Sequence, residues 1–278
     1  MRDKTKLYFG QGNSKLSKAI ATFSLPAGWS CPFAKECLSR SNRLTGKLID
    51  GQHCRFRCFA ASEECRKTNV RHSRWHNFDL LKQARSVEKM ATLIQRSLPR
   101  GINLVRTHVS GDYYREEYFL AWLNVALNNP AMTFYGYTKA LPYLVKYRKY
   151  IPPNFRFAAS KGGTYDHLIG KHRLRFSEVV YSLEEAEIKG LPVDHDDTHV
   201  FEGKESFALL IHGTQPPGTE ASKAWCALMK QGIGGYSKTD SKRHALIPIR
   251  PFTMRLTLKG GELYLPFGGT PKFKKVYA

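Results

Sequence analysis

Hydrophobic positions along the chain follow two rhythms. From Asn77 to Leu98, the residues Phe78, Leu81, Ala84, Val87, Ala91 and Ile94 recur at intervals of three and four, with Lys and Arg between them. That is the period of a helix with one buried face, and Pro99-Arg100-Gly101 stops it. Short apolar runs then alternate with helical patterns. Strands are expected over 103–109, 132–138, 156–159, 178–182 and 207–212, and helices or helical turns over 116–128, 143–150, 166–170, 183–189 and 220–229. An earlier apolar run, A-I-A-T-F-S-L at 19–25, reads as a strand ended by the turn Pro26-Ala27-Gly28. Strand–helix alternation with short links predicts an α/β protein with a parallel sheet covered by helices. About six strands would form a partial or irregular β/α barrel, the preferred form, or an open, doubly wound parallel sheet.

The ends of the chain break this rhythm. Residues 1–18 are polar, and 38–53 read as loop. After Gln231 a Gly-rich basic linker leads to L-I-P-I-R, T-M-R-L-T-L and G-E-L-Y-L-P-F, three short alternating segments. The expected organisation is an N-terminal strand with a cysteine-rich metal-binding loop (1–76), a β/α core (77–232) and a small basic β appendage (233–278). No internal repeat is present.

Five of the six cysteines lie between Cys31 and Cys65, in C-P-F-A-K-E-C and C-R-F-R-C-F-A-A-S-E-E-C. A disulfide framework suits short secreted domains. Here the chain has 278 residues, the cluster holds an odd thiol, and M-R-D-K-T-K-L-Y has no apolar run behind it to act as a secretory signal. Metal ligation is the better reading, with unrelated buried thiols as the bland one. Zinc sites favour tight C-x₂₋₄-C pairs, and only Cys54–Cys58 has that form, so an iron–sulfur cluster, [4Fe–4S] above all, is favoured over zinc. Cys226, in an amphipathic helical pattern, reads as a core residue.

Charge adds a partner. Net charge is +21, with 20 basic against 7 acidic residues in 1–100 and 9 against 2 in 233–278. Such a field favours nucleic acid, although a solvated basic surface has the same composition. Arg55, Arg57, Arg66, Lys67, Arg71 and Arg74, interleaved with Phe56, Phe59 and Trp75, form a candidate nucleic-acid surface or a solvated loop around a metal knot. No run is long and apolar enough to span a membrane. A soluble, cytoplasmic protein is expected.

Ligands of parallel α/β sheets bind beyond the carboxyl ends of the strands. Four of those ends are polar: H-V-S-G-D at 108–112, Y-G-Y-T-K at 135–139, S-K-G-G at 160–163 and H-G-T-Q at 212–215. His108, Asp112, Tyr137, Lys139 and His212 are candidates for acid–base work, and Ser110, Ser160, Lys161 and Gln215 for holding a cofactor or substrate. D-H-D-D-T-H at 194–199 is a solvated acidic loop, a helix N-cap or a divalent-metal site, the last implying a nuclease.

S-L-P-A-G-W-S-C-P at 24–32, R-C-F-A-A-S-E-E at 57–64, H-V-S-G-D-Y-Y at 108–114, Y-G-Y-T-K-A-L-P at 135–142, D-H-D-D at 194–197 and L-L-I-H-G-T-Q-P at 209–216 occur in one order. Together they resemble the phage gene product 88 family over roughly residues 20–230. The resemblance carries Cys31, Cys37 and Cys58 as shared cysteines, leaves Cys65 or Cys54 for a fourth place, and implies a phage protein working inside a bacterial host. A cysteine loop after the first strand, followed by a β/α barrel, is also distantly similar to radical S-adenosylmethionine enzymes, which leave one iron open; the cysteine spacing departs from theirs. The expected function is that of a phage-type iron–sulfur protein that binds or modifies nucleic acid. The alternatives are a non-enzymatic nucleic-acid-binding protein with a structural zinc or iron–sulfur site, and a divalent-metal nuclease.

Overall fold

The computed structural model describes residues 3–12 and 16–233. The appendage expected in the carboxyl-terminal segment lies, from residue 234 onward, outside them. The chain opens with β1 (Gly10–Gln11), β2 (Ile20–Ser24), β3 (Ser39–Ser41) and β4 (Leu48–Asp50), then α1 (Phe59–Arg66), α2 (Thr68–Ala84) and α3 (Val87–Ser97). Alternation follows with β5 (Leu104–Ser110), α4 (Glu116–Leu127), β6 (Thr133–Thr138), α5 (Leu141–Lys146) and β7 (Phe155–Ser160). It continues through α6 (His167–Lys171), β8 (Phe176–Val180), α7 (Leu183–Ile188), α8 (Thr198–Phe201), β9 (Phe207–Leu210) and α9 (Glu220–Lys230).

Two expectations change in the amino-terminal third. The loop over 38–53 contains the antiparallel hairpin β3–β4, with Arg40 opposite Ile49. The single helix at 77–98 is two helices broken at Arg85, whose φ of 54° is left-handed; Ser86 then caps α3, its hydroxyl accepting from the Lys89 N–H. The first of them starts as early as Thr68 because Arg71, Arg74 and Asn77 occupy its buried face, and polar residues there hide the apolar period.

The main sheet has seven strands in the order β1-β2-β5-β6-β7-β8-β9. Only β1 is antiparallel to its neighbour; the others follow chain order in parallel register. Every parallel step therefore advances in one direction, and the doubly wound alternative is corrected. Among the described residues the ladder ends at β1 and β9 and does not close into a full barrel. Winding in one direction, with crossovers of one hand, places the crossover helices on one face. The largest core agrees: Ala21, Val105 and Phe134 pack with Leu81 of α2, Ile94 of α3, Trp122 of α4 and Leu144 of α5. Their strand neighbours Ile20, Leu104 and Tyr135 point the other way and pack with Phe207 and Val200, so the short α8 covers the opposite face. No helix among the described residues is long and apolar enough to cross a membrane.

Candidate metal centre

The cysteine-rich segment is laid over the carboxyl edge of the sheet, and the polar strand ends hold it there. After β2, the Leu25 N–H donates to the Ser110 carbonyl (2.8 Å), tying the departing chain to the end of β5. The turn that follows needs Gly28: its φ is +71°, and a Cβ would lie 2.5 Å from the Ser39 carbonyl. The loop from Cys31 to Cys37 is stitched to the end of β7. The Lys35 and Glu36 N–H groups donate to the Gly162 carbonyl at 3.2 and 2.9 Å, and Ala34 bridges to Gly163. Cys58 caps the amino end of α1, its N–H donating to the Ser39 hydroxyl at 3.2 Å. The preceding residue is clamped by Gln215, which accepts from the Arg57 N–H (2.8 Å) and donates to the Arg57 and His212 carbonyls (3.1 and 3.0 Å).

Three thiols carried by these loops act on one another electrostatically. Burial pushes the Cys31 thiol well above its ordinary value, and Asp112, Cys58 and Cys37 push it further. Burial, then the nearby Cys37, raises Cys58 to about 12, against amide donors from Ala61 and Ala60. Burial also raises Cys54, whose sulfur lies 3.3 Å from the Ser39 hydroxyl and donates to the Phe56 carbonyl at 3.4 Å. Cys65 is elsewhere: it is exposed near the far end of α1, two turns or roughly 10 Å along the axis from Cys58. Cys226, expected in the core, is exposed on α9. Among the described residues no three His, Cys, Asp or Glu side chains converge tightly enough to hold a metal ion.

The rim residues fasten loops together. Asp112, buried, accepts from the Thr138 hydroxyl (2.7 Å) and the Lys139 and Tyr113 N–H groups (2.8 Å each). Burial still leaves its carboxyl raised. Lys139 donates its ammonium to the Ser160 hydroxyl (2.6 Å) and to the Ser160 and Lys161 carbonyls. Ser110 donates to the Leu25 carbonyl (2.8 Å), while Lys161 pairs outward with Glu178. His212 packs against Phe59, the first residue of α1, with ring centroids 4.7 Å apart and the planes tilted. His108 is set apart from this rim. It is 3% exposed, packed edge-on to Tyr113 and 3.0 Å from the Tyr118 hydroxyl, and burial lowers its pKa to about 3.

Tyr137 belongs to a second network, on the face beneath α8. Its hydroxyl donates to Asp197 (3.0 Å) and Asp194 (3.3 Å). Asp197 is fully buried against Arg106 (2.5 Å), and Asp194 accepts from His199 Nδ1 (3.0 Å). Asp196 instead caps the Thr198 N–H. The D-H-D-D motif is thus the amino-terminal cap of α8 seated on the sheet, as the helix N-cap alternative expected, rather than a solvated loop.

The expected nucleic-acid surface needs correction. Arg71 and Arg74 are 4% and 5% exposed. Arg71 donates to the Glu64 and Arg43 carbonyls (2.6 and 3.1 Å), and Arg74 to the Ala60 carbonyl and the Glu64 and Glu63 carboxylates. Neither reaches a phosphate in the folded chain. Arg57 is tied bidentately to Asp50, Arg55 pairs with Glu36, Lys67 pairs with Glu63, and Arg66 bonds the Ser62 carbonyl. The residue that organises these arginines is Glu64, which the reading by motif passed over. Its carboxylate accepts from the Ala27 N–H, the Ser41 and Ser110 hydroxyls and Arg74. The available signal was its spacing: with Ala60 and Ala61 it falls on the buried face of α1.

The sequence model of the family described as "Gene product 88" matches residues 1–231. The chain belongs to the gene product 88 family. Membership covers both the cysteine-rich segment and the β/α core and stops short of the basic tail, as the resemblance implied. No curated protein and no solved structure matches the chain, and the likeness to radical S-adenosylmethionine enzymes is not shown by the comparisons.

Proposed function

We propose that this gene product 88 protein is an iron–sulfur protein whose cluster is held by Cys31, Cys37 and Cys58 at the carboxyl edge of the sheet. The observation that supports this reading is that the two loops carrying these thiols are fastened to the same edge of the sheet, by the Gly162 carbonyl under Lys35 and Glu36 and by Gln215 on Arg57, with Cys31 and Cys58 buried. An all-sulfur donor set selects zinc or iron–sulfur chemistry. A tetrahedral zinc ion draws its sulfurs to about 2.3 Å from one point. Only Cys54 and Cys58 have the close spacing that zinc sites favour, which supports the larger cluster. When bound, the cluster supplies electron transfer or, with an iron left unligated by protein, a place for substrate. The chain's own residues keep the ligand loops in register: Gln215 holds Arg57 next to Cys58, and Gly162 and Gly163 hold the loop between Cys31 and Cys37. Cys54 is proposed for a fourth thiolate in preference to Cys65, which is exposed roughly 10 Å along α1 from Cys58.

Nucleic acid is the proposed partner, on the strength of the +21 charge. Anaerobic purification followed by iron, sulfide and zinc analysis and a visible absorption spectrum tests the metal reading. Iron and sulfide in equal amounts, with an absorption that bleaches on reduction, support it. One equivalent of zinc without iron overturns it.

A further inference from the structure

We infer that the outer face of the β3–β4 hairpin, with Trp29 and Arg40 at its centre, is a stacking platform for single-stranded nucleic acid. The inference rests on the nucleic-acid part of the reading above and gives that partner a place, once Arg71 and Arg74 are withdrawn from it.

Trp29 is 41% exposed, unusual for a tryptophan beside a well-packed strand end. Its position is fixed, because Nε1 donates to the Ser41 carbonyl at 2.8 Å. The Arg40 guanidinium lies 4.7 Å from the ring centroid and has no acidic partner among the described residues. Trp75, half-buried, stands 5.8 Å from Trp29 and carries Arg43 at 4.7 Å, so a second aromatic–guanidinium pair backs the exposed one. Arg43 is shared with Asp79 at 2.5 Å, the one carboxylate paired into the patch among the described residues. Leu44, 84% exposed at the hairpin tip, and Ile49, 42% exposed opposite Arg40, extend the apolar part, and Lys47 beside them is exposed and cationic.

Exposed aromatic faces next to cations are what a base-stacking, backbone-tracking surface needs. Bases stack on the ring, arginine adds cation–π attraction, and phosphates meet the guanidinium groups. Trp and Arg also occur at protein interfaces, and the net charge of +21 is what favours a polyanion here. Trp29 is also two residues from Cys31, so a strand bound here runs beside the proposed cluster.

Binding of the full chain, with its metal content verified, to an oligothymidylate of about 16 nucleotides tests this by tryptophan quenching across a salt series. Trp29→Ala is expected to weaken binding about tenfold or more, and Trp29→Phe to retain most of it. Arg40→Gln and Arg43→Gln are each expected to flatten the salt slope by about 0.7. Arg40 and Lys47 are exposed, so R40Q and K47Q keep the test decisive if Trp29→Ala fails to fold. Parent-like affinity and slope in all these variants overturns the platform while leaving nucleic acid as partner. Absence of binding by the parent protein at low salt overturns both, whatever its iron content. Binding of duplex alone, or of a protein ligand only, also overturns the platform.

Discussion

Glu64 and Arg74 form an ion pair of 2.9 Å in which the carboxylate has no solvent exposure and the guanidinium almost none. It joins α1 to α2. Through the Ala27 N–H and the hydroxyls of Ser41 and Ser110, the same carboxylate reaches the turn before Cys31, the hairpin and the end of β5. One buried charge therefore locks the cysteine-rich segment onto the sheet.

Removing Glu64 leaves Arg74 to Glu63 alone and strips the Ala27 N–H and the Ser41 and Ser110 hydroxyls of a buried acceptor, at a cost of about 3–5 kcal/mol. Glu64→Ala is expected to lose that much in urea denaturation. Replacing both residues, as Glu64→Gln with Arg74→Met, should recover part of the loss. A loss under about 1 kcal/mol in the single variant contradicts the buried-pair account.

The thiols divide by position. Cys31→Ser, Cys37→Ser and Cys58→Ser are each expected to abolish or strongly reduce bound iron. Cys65→Ser and Cys226→Ser, at exposed positions, should leave it unchanged. Cys54→Ser decides whether a fourth thiolate takes part: retained iron with an altered spectrum marks it as a ligand, and an unchanged spectrum excludes it. Iron content measured on anaerobic preparations reads all six.

His108 makes stability sensitive to acid. Burial lowers its folded pKa to about 3, below the ordinary value near 6.5. The unfolded chain takes up this proton first, so the stability is complete above pH 6.5 and is lost as pH falls toward 3. Between pH 7 and pH 5 this one group removes about 2 kcal/mol, at about 1.36 kcal/mol per unit. His108→Phe, which suits the rings of Phe23 and Tyr113, should flatten that limb in denaturation measured at the two pH values. Parallel pH profiles for parent and variant sink the assignment.

The Asp194–Asp197 segment should behave as a structural plug. Asp197 is buried against Arg106, and both aspartates accept from Tyr137. Asp197→Ala is expected to lower thermal stability by an amount equivalent to about 3–5 kcal/mol. Mg²⁺ and Mn²⁺ should neither raise the melting temperature of the parent nor elicit cleavage of DNA or RNA. Metal-dependent cleavage that disappears in Asp197→Ala restores the nuclease alternative.

Local patterning was sufficient for the strands and helices from β5 to α9 apart from the four-residue α8, because each of the others buries one face and so shows a period of two or of three to four. It also picked out the cysteine segment and the four polar strand ends, since clustered thiols and polar residues at strand ends stand out in one dimension. Tertiary structure decided the rest. A buried arginine and a phosphate-binding arginine are the same letter, and only the carboxylate and carbonyls around Arg71 and Arg74 distinguish them. Cys58 and Cys65 are neighbours in the sequence, but the rise of α1 separates them, whereas the loops carrying Cys31 and Cys58, far apart in sequence, are both fastened to the sheet by the ends of β5, β7 and β9. The direction of winding likewise depends on which strands pair, a long-range choice that no local period encodes.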